Sequence, residues 1–388
     1  MNNIHQFQTA NHIILGNDSI NQINEHLKVI NVQIQRVLII AQPSMIRMGF
    51  VDSIKNQLEA EEINIDITTD ILPEPTVENI NKVYQSISKN KYDVLIGLGG
   101  GSVLDATKVL SIMFTNSGSV EEKLGANLIE NKGIPTALIP STSGTGSEVT
   151  PNAIVTLPKE ELKIGMVSKY LLPDLVILDP KLTLSLPEHI TAATGMDAFT
   201  HSFESFISNK ANPISDMFAL ESIRLISSSI VETYQNGSNL SAREKMLVGS
   251  MYGGMALTSA GTAAVHALAY PLGGKFNISH GVANSMLLPH VTAFNLDAII
   301  DRMSPVANAM NIDTVKVSRA EVAKAVIDKI KEWIKVLDIP QDLTEYGVTE
   351  SDLKDISIAA SKVTRLLNNN PKEMYLNDIE NIYRKLLV

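Results

Sequence analysis

Short runs of aliphatic and β-branched residues alternate with stretches of helical period through the first half of the chain. The runs are RVLII from Arg36, INIDIT from Ile63, YDVLIG from Tyr92, PTALIP from Pro135 and LVILDP from Leu175. Strands that alternate with amphipathic helices predict a parallel sheet with crossover helices. Beyond Pro187 the strand pattern stops, and TAATGMDAFTHSFESFIS, PISDMFALESIRLISSSIVETY and RAEVAKAVIDKIKEWIKVL read as long helices. The pattern therefore predicts an α/β domain over residues 1–183 and an all-α domain over residues 184–388. The boundary falls near Thr183, and the cleft between two such domains is the default ligand site.

Composition narrows the chemistry. A chain of 388 residues suits two domains, because single hydrophobic cores stop growing before that length. With 44% hydrophobic and 19% charged residues it has the balance of a folded chain with a sizeable core. A formal net charge of −10 and the lack of a Lys/Arg stripe argue against nucleic acid or an anionic membrane as partner, and for a small molecule. There is no cysteine, so disulfides, thiolate nucleophiles and Cys-ligated metals are excluded, and any metal must be held by His, Asp or Glu. The opening MNNIHQFQTANHIILG lacks the basic start and apolar core of a signal peptide, and no apolar run reaches about 18 residues. We expect a cytoplasmic protein.

The segment YDVLIGLGGGSVLDATKVL predicts a strand at Val94–Ile96, a glycine turn and a helix opening at Ser102. Gly99, Gly100 and Gly101 remove side chains where backbone N–H groups and a helix N-terminus can approach a pyrophosphate. The fit to G-x-G-x-x-G is incomplete, with Ser102 in the last position, and a plain tight turn is the simpler use of such a cluster. A second loop, PSTSGTGSEVT, also follows a strand, and its hydroxyls at Ser141, Thr142, Ser143, Thr145 and Ser147 can bond a ribose or an amide. Two such loops in one α/β domain favour a dinucleotide-binding, Rossmann-like fold over a pair of polar turns.

In the second half, Asp197 and His201 stand four residues apart in GMDAFTHSFESF, on one face of a helix. That pair alone also suits a helix-surface hydrogen bond. His266 lies in a very apolar helical stretch, where an imidazole needs a hydrogen-bond partner or a metal, and His280 follows before a glycine. One carboxylate and three imidazoles make a set suited to Fe²⁺ or Zn²⁺ with space for a substrate oxygen. His5, His12 and His26 have no plausible partners nearby in sequence, and His290 is expected outside the set.

With these motifs assembled, the chain resembles the iron-containing, group III alcohol dehydrogenases across nearly its full length. The likeness rests on GGGSVLDATK, PSTSGTGSEVT, ATGMDAFTHSFES and HALAYPLGGKFNISHGVANSMLLPHV, in family order and spacing. It implies metal ligands at Asp197, His201, His266 and His280. It implies nucleotide contacts at Gln42, Gly99, Gly100, Gly101, Ser102, Asp105, Thr142, Thr145, Ser147, Asn152, Lys163 and Leu182. The implied activity is hydride transfer between NAD or NADP and a small alcohol or aldehyde whose oxygen the metal polarises, and the implied assembly is a homodimer. Two positions depart from the pattern. Tyr270 stands where many members have a further histidine, so its hydroxyl either takes over a proton-relay role or only lines the pocket. Gln42 stands where NAD-specific relatives have an aspartate that repels a 2′-phosphate, which makes NADP use plausible. The alternatives are a metal-free maleylacetate-reductase-like enzyme, a dehydroquinate-synthase-like lyase, or a silent nucleotide-binding protein on the same fold.

Overall fold

The computed structural model describes residues 4–30, 32–157 and 162–388. The chain divides into two compact units. An α/β unit takes Gln8–Thr142 and Gly146–Leu184, and a helical unit takes Ser143–Thr145 and Ser185–Val388 together with the N-terminal residues through Phe7.

Nine strands are described, in chain order β1 (His12–Leu15), β2 (Arg36–Ala41), β3 (Asn64–Thr68), β4 (Val94–Gly99), β5 (Gly125–Ala126), β6 (Thr136–Pro140), β7 (Asn152–Leu157), β8 (Leu162–Val167) and β9 (Leu175–Leu178). A six-stranded sheet has the order β1-β9-β6-β4-β2-β3, and every pairing in it is parallel. Strand residues alternate between its faces. Val37, Ile39, Val94, Ile96 and Leu98 join an apolar cluster with Ile54 and Leu58 of the Phe50–Glu59 helix. Leu38, Ile40 and Leu95 join another with Ile80 and Val83 of the Val77–Ile87 helix and Val109 of the Gly101–Met113 helix. A sheet covered on both faces needs central strands that are apolar at every position, and β4 and β6 are buried throughout.

The chain leaves β2 for β3 on one side and returns to β4 on the other, so the order reverses between β2 and β4. Ligands of open α/β sheets bind at the carboxyl ends of strands that flank such a reversal. Here those ends are Gln42 and the glycines after Leu98.

Three features differ from the sequence expectation. Strand β4 runs through Gly99, and the helix begins at Gly101 with Gly100 as its N-cap. Gly97 is a strand residue kept small by the covering helix, since a Cβ there would lie 2.6 Å from Thr107 Oγ1. Strand β1 is only four residues long and half exposed at the sheet edge, which leaves it a weak apolar signal. A second sheet, ordered β5-β8-β7, contains the antiparallel pair β7–β8, registered from Asn152 opposite Val167 to Leu157 opposite Leu162. The sequence pattern predicted parallel strands only, because NAIVTL and LKIGMV are amphipathic enough to pass for loop or helix.

The helical unit has one continuous core, in which Phe199 meets Trp333 edge to face at 5.1 Å. Its site-bearing helices are Glu188–Ile207, Ala264–Phe276 and His280–Ile299. The buried Arg243 donates to Gly237 O at 2.9 Å, Thr191 Oγ1 at 2.9 Å and Leu186 O at 3.3 Å, pinning the start of the first of these helices. Among the described residues no helix is long and apolar enough to cross a membrane.

Candidate metal centre

Asp197 and His201 lie one turn apart on the Glu188–Ile207 helix, as their spacing requires. His266 sits in the first turn of Ala264–Phe276, and His280 is the first residue of His280–Ile299. One ligand atom from each of the four falls within 4.8 Å of the others. Asp197 Oδ1 is 3.8 Å from His266 Nε2 and 3.7 Å from His280 Nε2. The His201 and His266 rings stack at 4.6 Å, and those of His266 and His280 are 5.2 Å apart.

The helices meet closely because small residues line the contact. A Cβ on Gly281 would run into the backbone carbonyl of Ala193, so only glycine lets the start of the His280 helix lie against the Asp197 helix. Asp197, His201 and His266 are buried, while the side chain of His280 keeps 29% of its exposure and forms the open edge of the cluster.

The buried surroundings decide which atoms are presented. Glu204, also on the Glu188–Ile207 helix, accepts from Ala263 N at 2.9 Å, Val265 N at 2.6 Å and His266 Nδ1 at 2.6 Å. It therefore satisfies backbone donors at the start of the His266 helix and also fixes the ring, leaving Nε2 as the bare nitrogen. His201 Nδ1 lies 3.3 Å from the Gly144 carbonyl oxygen, which can only accept, so its Nε2 is bare as well. Burial alone would raise the Asp197 pKa, but the electrostatic pull of the neighbouring His201, His280 and His266 and the hydrogen bond from the Asn284 amide outweigh it and hold the carboxyl below its ordinary value. Burial pushes His201 down, against the opposing pull of Asp197. An ionised oxygen and imidazoles turned to present Nε2 form a donor set that fits a divalent cation, with Asn284 donating to the Asp197 oxygen at 2.7 Å.

Tyr270 lies one turn beyond His266, with its ring 6.0 Å from that of His280. Burial raises its phenol pKa, and the Arg365 guanidinium opposes this. His290 is outside the cluster, and burial pushes its pKa down to about 4.

Apart from Leu182 and Thr145, the residues expected at the nucleotide form two groups within the α/β unit. At the carboxyl ends of β2 and β4, Gly100 N donates to Gln42 Oε1 at 3.4 Å, and a Cβ on Gly100 would touch Thr142. Ser102 Oγ accepts from Glu74 N at 3.1 Å, and Lys163 pairs with the Glu74 carboxylate at 2.6 Å, so these side chains adjoin Gly99, Gly100 and Gly101. The other group surrounds the buried Lys108, whose Nζ bonds Asp105 at 3.1 Å, Ser147 O at 2.8 Å and the Asn152 carbonyl. Asp105 also accepts from the Ser147 hydroxyl and from Ile154 N at 2.9 Å. Asp105, Ser147 and Asn152 thus brace the second loop on the Gly101–Met113 helix. Leu182 is fully buried in the apolar core, and Thr145 is grouped with the helical unit.

Sequence reasoning missed Glu204, Asn284 and Lys108. Their signals were helical offsets from residues already chosen: Glu204 three after His201, Asn284 four after His280 and Lys108 three after Asp105.

Comparison with known proteins gives the family. Residues 10–180 match the family described as iron-containing alcohol dehydrogenase, and residues 191–387 match the Fe-containing alcohol dehydrogenase family, C-terminal part. The chain is 39% identical over 352 residues to a long-chain-alcohol dehydrogenase of Geobacillus thermodenitrificans, covering 90% of this chain and 89% of the relative. It is 34% identical over 366 residues to a sulfoacetaldehyde reductase of Bilophila wadsworthia, covering 94% of each. A crystal structure of a 1,3-propanediol oxidoreductase superposes with a TM-score of 0.95 at 31% identity, covering 99% of this chain and 100% of that one. The chain belongs to the iron-containing alcohol dehydrogenase family.

Proposed function

We propose that Asp197, His201, His266 and His280 hold one divalent cation, iron or zinc, and that the enzyme uses it with NAD or NADP to interconvert a small alcohol and its aldehyde. The observation that carries this reading is the convergence of one carboxylate and three imidazoles within 4.8 Å. Such a cation acts as a Lewis acid on a substrate oxygen, and the nicotinamide exchanges the hydride. The remaining work belongs to the chain. Asp197 supplies the only negative charge among the four ligands, and Glu204 holds His266 in the tautomer that can ligate. His280 leaves the cluster open on its exposed side, where the substrate oxygen enters. Tyr270, with its ring 6.0 Å from that of His280, lines this side of the cluster, where its hydroxyl either takes part in proton transfer or only shapes the pocket.

On the α/β unit, the glycines after β4 and the start of the 13-residue Gly101–Met113 helix receive the cofactor pyrophosphate. Gln42 places no negative charge beside Gly100, so a 2′-phosphate meets no repulsion from it and the cofactor is NAD or NADP. The substrate is an alcohol or aldehyde. The named relatives act on a long-chain alcohol and on sulfoacetaldehyde, so chain length and charge are set by this chain's own pocket. The reading includes a cytoplasmic homodimer, checked by cell fractionation and sedimentation.

The test is a panel of short and long aldehydes assayed with NADH and NADPH after chelation and after reloading with Fe²⁺ or Zn²⁺. Reduction restored only by metal supports the proposal. Undiminished turnover by chelated protein, or by a His266→Ala variant shown to be metal-free, refutes it.

A further inference from the structure

Asn284 stands against the ligand set without belonging to it. It lies one turn after His280 on the same helix, so the two side chains share a face. Its Nδ2 is 2.7 Å from Asp197 Oδ1 and 3.2 Å from both His266 Nε2 and His280 Nε2. The residue is fully buried, and its Oδ1 has no hydrogen-bond partner among the described residues. An orphaned amide oxygen in a dry interior is unfavourable, and turning the amide over would not relieve it. That would aim Oδ1 at a carboxylate oxygen and two imidazole nitrogens, all electron-rich. The observed orientation leaves one acceptor unpaired and sets the N–H donors against all three.

We infer that Asn284 is a positioning residue of the metal centre, whose amide N–H groups hold Asp197 and face the ligating nitrogens of His266 and His280 so that these donors stay assembled before a cation arrives. The inference rests on the reading of the four residues as metal ligands. Three converging electron-rich atoms repel one another when nothing positive lies between them. The amide hydrogens offset that repulsion. Once a cation binds, the Asp197 oxygen has a second lone pair and can keep its bond to Asn284, as carboxylate ligands commonly keep outer partners.

Asn284→Leu keeps the heavy-atom count and branching but lacks both the donors and the orphaned acceptor, and Asn284→Ala removes the same groups without adding bulk at this fully buried position, so a loss shared by the two separates hydrogen bonding from space filling. Variant and parent, stripped of metal, are titrated with Co²⁺ against a competing chelator, and the visible spectrum of the Co²⁺ form is recorded. We expect cobalt affinity to fall about 10- to 100-fold, with an altered visible spectrum and unchanged NADH binding. Unchanged affinity and spectrum would show that Asn284 only fills space, which overturns the inference. His280→Ala run alongside keeps the two failures apart, because undiminished cobalt binding by that variant would refute the metal reading itself. If Asn284→Leu does not fold, Asn284→Ala carries the same titration, with the same outcomes for and against.

Discussion

Glu204 shows how one buried carboxylate can serve both a fold and a site. Its bonds to Ala263 N, Val265 N and His266 Nδ1 satisfy donors that would otherwise be orphaned in the core. Glu204→Ala is expected to lower stability by about 1–3 kcal/mol for each donor left unpaired and metal affinity by about 10- to 100-fold. Glu204→Gln, which keeps an acceptor, should recover part of both in thermal melts and chelator competition. Equal metal affinity in all three proteins would show that His266 needs no orienting partner. Glu148 makes a separate prediction. Burial raises its pKa from 4.5 to about 7, with Lys108 opposing and Asp105 adding to the rise. Between those values the unfolded chain has released this proton while the folded chain still holds it. The residue's contribution is therefore full below about pH 4.5 and is lost as the pH rises toward 7, by about 3 kcal/mol in all at 1.36 kcal/mol per unit. Urea unfolding at several pH values should show a falling difference between the parent and Glu148→Gln across that window and a flat one above it. Parallel curves would contradict the shift.

At the scale of elements, the proposed metal cluster depends on how closely two helices approach. Gly281→Ala puts a methyl group against the Ala193 carbonyl, and the helix ends must part to admit it. Overpacking of this kind costs about 1–3 kcal/mol, and because His280 is the adjacent residue, metal retention should fall at least about tenfold. Gly16→Ala, where no atom lies within 4 Å of the added carbon, is the control and should change neither melting nor metal content. If Gly281→Ala behaves like the control, the close approach does not set the site. Elements also differ in how readable they were. Strands β2, β4, β6 and β9 announce themselves because burial demands nearly continuous apolar runs. Strand β1 and the β7–β8 pair do not, since a short or half-exposed strand needs only part of its residues to be apolar.

For the whole molecule, each unit has its own core, and the proposed ligands all lie in the helical one. A ligand that binds only the folded state stabilises it by mass action, about 2.7 kcal/mol at a hundredfold excess over its dissociation constant. Chelation should therefore lower the melting transition of the helical unit while NADH still binds, as followed by calorimetry and cofactor fluorescence. An unmoved transition, or loss of NADH binding on chelation, would contradict this division of labour. What the amino-acid order determined by itself is what local period and spacing encode: the alternation of strands and helices, the glycine loop after β4, and the pairing of Asp197 with His201 on one helical face. Only the tertiary structure decided that His266 and His280 come to that pair, that Glu204 and Asn284 hold them there, and that Asp105 is spent on Lys108 and the second loop. The reason is physical: helical offsets fix neighbours within one element, whereas partners separated by some sixty to ninety positions meet only where packed helices allow their backbones to touch.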